Sequence, residues 1–162
     1  MNIPQSLKYP SNRKNETFWS ALIVIVLIAA FFRFSGLHWD EGFLYTPHPD
    51  ERAILMKSRE IEMPPLSKLG TLFNANESTW NPRWFPYGSF PLYVLEISEN
   101  ILERVTGTDV TDLRTLARSI SVLADLGTII GIAMLGKSAF SRRVGILAAL
   151  LISFSVIHIQ LA

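Results

Sequence analysis

Residues 18–37 read FWSALIVIVLIAAFFRFSGL, and only Ser20 interrupts the apolar run before Arg33. If Arg33 snorkels toward the headgroups, the run continues to Leu37. That is about twenty residues, the length that crosses roughly 30 Å of hydrocarbon. A cleaved leader has a shorter apolar core followed by small residues. This run ends in Phe31, Phe32, Arg33 and Phe34, which predicts a retained transmembrane helix over 18–37.

Two further blocks lie toward the C-terminus. Residues 113–136 predict a second crossing, capped by Thr111 or Asp112, and residues 144–162 a third with no charge in it. Lys137, Arg142 and Arg143 crowd the 137–143 connection, and Lys8, Arg13 and Lys14 the 1–17 tail. Basic residues concentrate in short cytoplasmic segments. Two crossings separate the tail from the connection, so both belong inside and the long segment 38–112 belongs outside. The expectation is an all-α, multi-pass protein of the cell (plasma) membrane with a cytoplasmic N-terminus.

Composition agrees. Of the 162 residues, 49% are apolar and arrive in blocks, while a formal charge of +1 gives no field that would recruit nucleic acid. Cysteine is absent, which removes disulfides and thiolate metal sites. The chain stops at Ala162 with no polar flank after the third block. That ending predicts a truncated reading frame or a piece of a longer protein.

Residues 90–102, FPLYVLEISENIL, resemble a further crossing but are too short and carry Glu96 and Glu99. A carboxylate at the bilayer centre costs about 2.5–3.5 kcal/mol on insertion scales. Leu92, Leu95, Ser98, Glu99 and Leu102 instead predict an amphipathic helix near 90–104 lying at the interface through that face.

The external segment is dense in reactive side chains. His38-Trp39-Asp40-Glu41 is followed by His48-Pro49-Asp50-Glu51. Proline suits a first helical position, and acidic residues in a first turn are favoured by the helix dipole. A second amphipathic helix is therefore expected near 49–62, stopped by Met63-Pro64-Pro65. An acidic pair at a helix start is also an ordinary cap. The aromatic run 80–88, which holds Arg83, suits either an interfacial anchor or a sugar-stacking surface. In the second crossing, Arg118 and Asp125 share a face; Asp125 reads best as part of a structural polar stripe met by helices beyond this chain.

The order of these features resembles the polyprenyl-phosphate-dependent glycosyltransferases of the GT-C type, among them the protein O-mannosyltransferases and the lipid A aminoarabinose transferase. The resemblance rests on HPDERAILMKSREIE, on YGSFPLYVLEISENIL, and on the stretch LARSISVLADLGTIIGIAMLGKSAFSRRVGILAALLISFSVIHIQ. It implies transfer of a sugar from a polyprenyl-phosphate carrier to a hydroxyl on a protein, lipid or glycan acceptor at the external face. It puts the catalytic carboxylates at Asp50 and Glu51, with Asp40 and Glu41 as the alternative pair. Arg118, His48 and Arg83 are the expected substrate or phosphate contacts. No firm cofactor follows; a divalent metal stays open, although the spacing of the histidines and carboxylates matches no strong metal signature. A complete enzyme of this kind needs more crossings, so this stretch alone is expected to be inactive. The residues leave open a non-catalytic membrane assembly or binding protein, or a degenerate remnant of such an enzyme. They also leave open a metal-binding loop built on His38 and His48.

Overall fold

The computed structural model describes residues 13–43, 46–72 and 74–161. Most of the expected tail, with Lys8, lies outside them, as does Ala162. The described residues are helical with no strand, in the order α1 (Arg13–Ser35), α2 (Pro49–Ser58), a 3-10 turn (Leu66–Thr71), α3 (Phe90–Thr106), α4 (Leu113–Ala139), α5 (Arg142–Ser153) and α6 (Val156–Leu161). They form two compact units: one holds the residues up to Gly36 and from Ser121 onward, the other Leu37–Ile120.

In the first unit, α1 and α4 are both long and apolar enough to cross a membrane. Buried positions fall on one stripe per helix: Phe18, Leu22, Ile25 and Ala29 on α1, Val122, Leu126, Ile129 and Ala133 on α4. These are the three- and four-residue steps of a single helical face. The other faces stay apolar yet uncovered, with Leu27 64%, Phe31 69%, Leu123 61% and Leu135 67% exposed. Only 28% and 22% of the two apolar windows are buried, whereas the core helix of a water-soluble protein is covered on most sides. Lipid is the solvent that suits such a surface.

Helices α1 and α4 run antiparallel. Lys137 near the end of α4 donates to Asn15 Oδ1 at 3.3 Å, and its ammonium stands 4.5 Å from the Phe18 ring centre. At the other end Arg33 donates from Nε to Asp125 Oδ2 at 2.5 Å. The start of α1 and the 137–143 segment thus share one end of this unit, as the charge pattern requires.

Three expectations fail here. Arg33 does not snorkel: its side chain is 0% exposed. Besides Asp125, it donates from Nη1 to the carbonyls of Ala29 and Ser153, at 3.3 and 3.1 Å. Asp125 in turn accepts at Oδ1 from His158 Nδ1, 2.7 Å away. Asp125 is therefore satisfied within this chain rather than by helices beyond it, because a buried carboxylate and a buried guanidinium each need an opposite charge in a low dielectric. The third block is likewise not one continuous helix. It breaks at Phe154 and Ser155 into α5 and α6. With 12 residues, α5 rises about 18 Å, short of a crossing by itself. Ser153 closes α5, and Arg33 takes up one of the last carbonyls, which have no partner along their own helix.

In the second unit α2 packs on α3. Pro49 opens α2 with Asp50 and Glu51 in its first turn, and the helix ends at Ser58, four residues before the expected 62. Gly107 ends α3 at φ 69, a left-handed conformation that suits glycine, and its N–H returns to the Glu103 carbonyl at 2.8 Å. Ile61, Leu92 and Leu95 are buried, and the Trp80 ring stacks on Tyr93 with centres 4.7 Å apart. Leu92 and Leu95 thus face inward, not toward an interface as expected.

Glu96 is drawn in with them. Burial pushes its carboxyl above the usual range, opposed by a hydrogen bond from Asn100. A folded-state pKa above the unfolded one means stability falls as pH rises through that window and stays lowered at pH 7. Glu96→Gln, which keeps an acceptor for Asn100, is expected to raise the melting temperature by a few degrees at pH 7 and to change it little at pH 4. A pH-independent effect would show that the charge is not the cause.

Candidate functional site

Helix α1 is followed by a tight turn over 36–42 that carries Asp40, α2 opens with Asp50 and Glu51, and α4 places Arg114 and Arg118 one turn apart. Asp112 caps α4, accepting from the Thr115 amide at 3.1 Å and the Thr115 hydroxyl at 2.5 Å. That hydroxyl also meets His38 Nε2 at 3.2 Å.

Arg118 joins the three segments. It grips Glu51 through Nε and Nη2 at 2.6 and 2.9 Å, and Asp40 through Nη1 and Nη2 at 2.7 and 2.9 Å. The remaining Nη1 hydrogen goes to the Leu37 carbonyl at 2.5 Å. A guanidinium has five N–H donors in a planar fork, and here all five end on protein acceptors. Trp39 lies over the cation at 5.8 Å. Arg114 adds a second cation to Asp40 at 3.1 Å. The hydrogen bonds from Arg118 hold the Asp40 carboxyl below its usual range, against a burial that pushes it up.

The expected site residues therefore separate by role. Asp40 is fully buried and neutralised by two arginines, which leaves it no freedom to take a proton from a substrate. Both oxygens of Glu51 are committed to Arg118, so it is less suited to catalysis than expected. Arg118 has no N–H left for a phosphate; it acts as a clamp. Asp50 is different. It is exposed, and its charge lies close enough to the Tyr87 hydroxyl to push that group's pKa up. Glu41 is exposed beside the clamp, and His48 is exposed at the start of α2 without a side-chain cap bond.

Arg83 stands apart from the clamp. It is the sole described non-glycine residue with a positive φ, 50°, in a conformation that costs side chains of this kind about 1 kcal/mol or more. Its amide reaches Asn81 Oδ1 at 3.0 Å and its Nη2 the Asn76 carbonyl at 2.6 Å. It borders an open cleft of about 450 Å³ shared with Lys57, Glu60 and Glu77. Among the described residues, no three His, Asp or Glu side chains are grouped to hold a metal ion.

Arg114 and Tyr87 were missed in the sequence. Two arginines at a four-residue spacing on the opening turns of an apolar helix were a readable signal for the first. Tyr87 carried none, since nothing local ties it to Asp50. No family model, curated protein or solved structure matches this chain.

Proposed function

We propose that this chain belongs to a membrane glycosyltransferase of the GT-C type, which moves a sugar from a polyprenyl-phosphate carrier to an acceptor hydroxyl at the external face, with Asp50 as the base. The observation that carries the reading is the division of labour among the carboxylates. Arg118 fixes Asp40 and Glu51 as a rigid frame, and Asp50, one position before Glu51, is exposed outside that frame. A general base must reach the proton it removes, and Asp50 can.

In this mechanism the acceptor oxygen attacks the anomeric carbon, its proton passes to an Asp50 oxygen, and the bond from that carbon to the carrier phosphate breaks. The phosphate leaves with the electron pair as an anion. Arg83 and His48 retain donors that Arg118 lacks, and they are the basic groups of the external segment suited to that charge. The topology consistent with this has the N-terminus and the 137–143 segment cytoplasmic in the plasma membrane, with α1, α4 and the pair α5–α6 as three crossings.

The test is transfer in membranes carrying the protein in its complete cellular form. Asp50→Asn is expected to lower transfer from a polyprenyl-phosphate-linked sugar by on the order of a hundredfold while leaving protein abundance unchanged. Undiminished transfer would take the role from Asp50. The full engagement of Arg118 favours one other reading, a non-catalytic binding module whose clamp is purely structural. For that reading neither Asp50→Asn nor Tyr87→Phe should affect anything but partner binding.

A further inference from the structure

Helix α3 is amphipathic in an inverted sense. A surface helix facing water turns its charges outward. In α3 all three glutamates turn away from solvent: Glu96 is buried, and Glu99 and Glu103 are half-buried. Its exposed positions are mainly large and apolar. Phe90 is 76% exposed, Ile97 40%, Ile101 57% and Val105 79%. Steps of seven, four and four residues put these on one face, with Leu102 beside them. The one exposed charged side chain on α3 is a cation, Arg104. The opposite face, with Leu92 and Leu95, is the one occupied against the protein.

The chain limits what can cover this stripe. Gly107–Asp112 is the whole connection between the end of α3 and the start of α4. Six residues span at most about 20 Å, and Glu103 Oε1 shortens the path by accepting from the Val110 amide at 3.1 Å. Helix α4 is one of the two candidate membrane crossings. The C-terminal end of the stripe is therefore tethered within about 20 Å of the start of α4, which keeps this end of α3 near the bilayer surface. Its chemistry matches that position: apolar side chains for the acyl boundary, an arginine for the headgroups, and carboxylates withdrawn from anionic lipid.

We infer that α3 lies in the external lipid interface on its Phe90–Ile97–Ile101–Val105 face, with the bilayer itself as the occupant of that face. This rests on the membrane part of the functional reading and is independent of the transfer chemistry. It also changes the face expected from sequence: Leu92 and Leu95 pack inward, and the Phe90–Ile97–Ile101–Val105 stripe, with Leu102 at its edge, meets the lipid. The consequence for the site is positional. Because α2 packs on α3, seating α3 in the interface brings the helix that opens with Asp50 to the membrane surface.

The chain has no cysteine, so a single introduced thiol gives a unique probe site. Spin labels are placed on Ile101→Cys and Val105→Cys, with Leu27→Cys, exposed on α1, as the lipid reference and Asn76→Cys, exposed in the loop, as the water reference. The full chain is reconstituted in vesicles of phosphatidylcholine and phosphatidylglycerol. Collision rates are then read with oxygen, which partitions into lipid, and with a water-soluble nickel chelate. The expected result is that 101 and 105 follow Leu27→Cys, with oxygen dominant at least severalfold over the chelate. If they follow Asn76→Cys while position 27 stays in lipid, the inference about α3 is overturned and the membrane reading survives. Should position 27 also prove aqueous, both fall. Protection of 101 and 105 from both reagents would mean that protein, such as a second copy of the chain, covers the stripe, and would equally overturn a lipid occupant.

Discussion

Asp40→Ala is expected to destabilise the unit it sits in by about 3–5 kcal/mol, the usual cost of removing one partner from a buried ion pair. The side chain is completely buried and takes hydrogen bonds from Arg118 and Arg114. Truncation leaves donors on both guanidiniums facing a void that no local acceptor fills. Glu51 is already bound to Arg118 through both oxygens and has nothing more to give. A melting temperature lower by on the order of 10 °C is the measurable form of that loss. Glu41→Ala, one residue away but exposed, should change stability by less than about 0.5 kcal/mol. The pH dependence carries a definite sign. The folded-state pKa of Asp40 lies below the ordinary aspartate value of 3.8, so the pairing stabilises the fold fully above that value and is lost as pH falls through the folded pKa. The gap between the natural chain and Asp40→Ala should thus be constant from pH 7 to about 5 and narrow below about 4. Equal stability of the two at pH 7 would mean that Arg118 is not held by Asp40 at all.

What the sequence could and could not disclose follows from the range of the interactions involved. The spans over α1 and α4 were legible because an apolar run of that length has one stable solution in lipid. Pro49 marked the start of α2, since proline lacks only an N–H that a first turn does not use. Arg33 was misread because its fate depends on Asp125, far away in sequence; alone it would have had to reach for water. Asp40 and Asp50 look alike as Asp-Glu pairs. They differ because Arg114 and Arg118 meet the turn that holds Asp40, and no local pattern announces that meeting. In α3 both faces are apolar enough to be chosen, so periodicity found the helix without deciding which face packs. The break at Phe154 and Ser155 has neither glycine nor proline to signal it; a carbonyl claimed by Arg33 stands beside it.

These long-range pairings also divide the labour between the two units. In the unit of apolar helices, polar contacts are few and concentrated: Arg33, Asp125 and His158 form one hydrogen-bonded chain, with Arg33 Nη2 buried and without an acceptor. In the loop unit, polar contacts are dense and the guanidinium at their centre is saturated. Only the second arrangement leaves a carboxylate, Asp50, outside the network it borders. A base that must ionise, accept a proton and release it is better placed beside a rigid salt-bridge frame than inside it, because a paired carboxylate is too weak a base.

Gly145→Ala should separate α4 from α5 although it adds a single methyl group. A Cβ at this position would collide with the Ala133 carbonyl oxygen and would stand 2.9 Å from the Lys137 amide nitrogen, both on the backbone of α4. Gly136, on the facing side, would meet the Gly145 Cα at 2.8 Å. Backbone cannot step aside as a flexible side chain can, so the two helices must move apart where Gly145 meets Ala133, Gly136 and Lys137. Small residues allow such close approach in lipid, where packing rather than the hydrophobic effect holds helices together. The expected cost is about 3 kcal/mol, the upper part of the range for overpacking, seen as a lower melting temperature of the detergent-purified chain. Gly127→Ala and Gly131→Ala provide the internal control, being on the facing helix α4 with open space around the new carbon. They should leave stability unchanged or raise it by up to about 1 kcal/mol, since alanine is the better helix former. A Gly145→Ala protein as stable as these controls would show that α4 and α5 do not meet through their backbones.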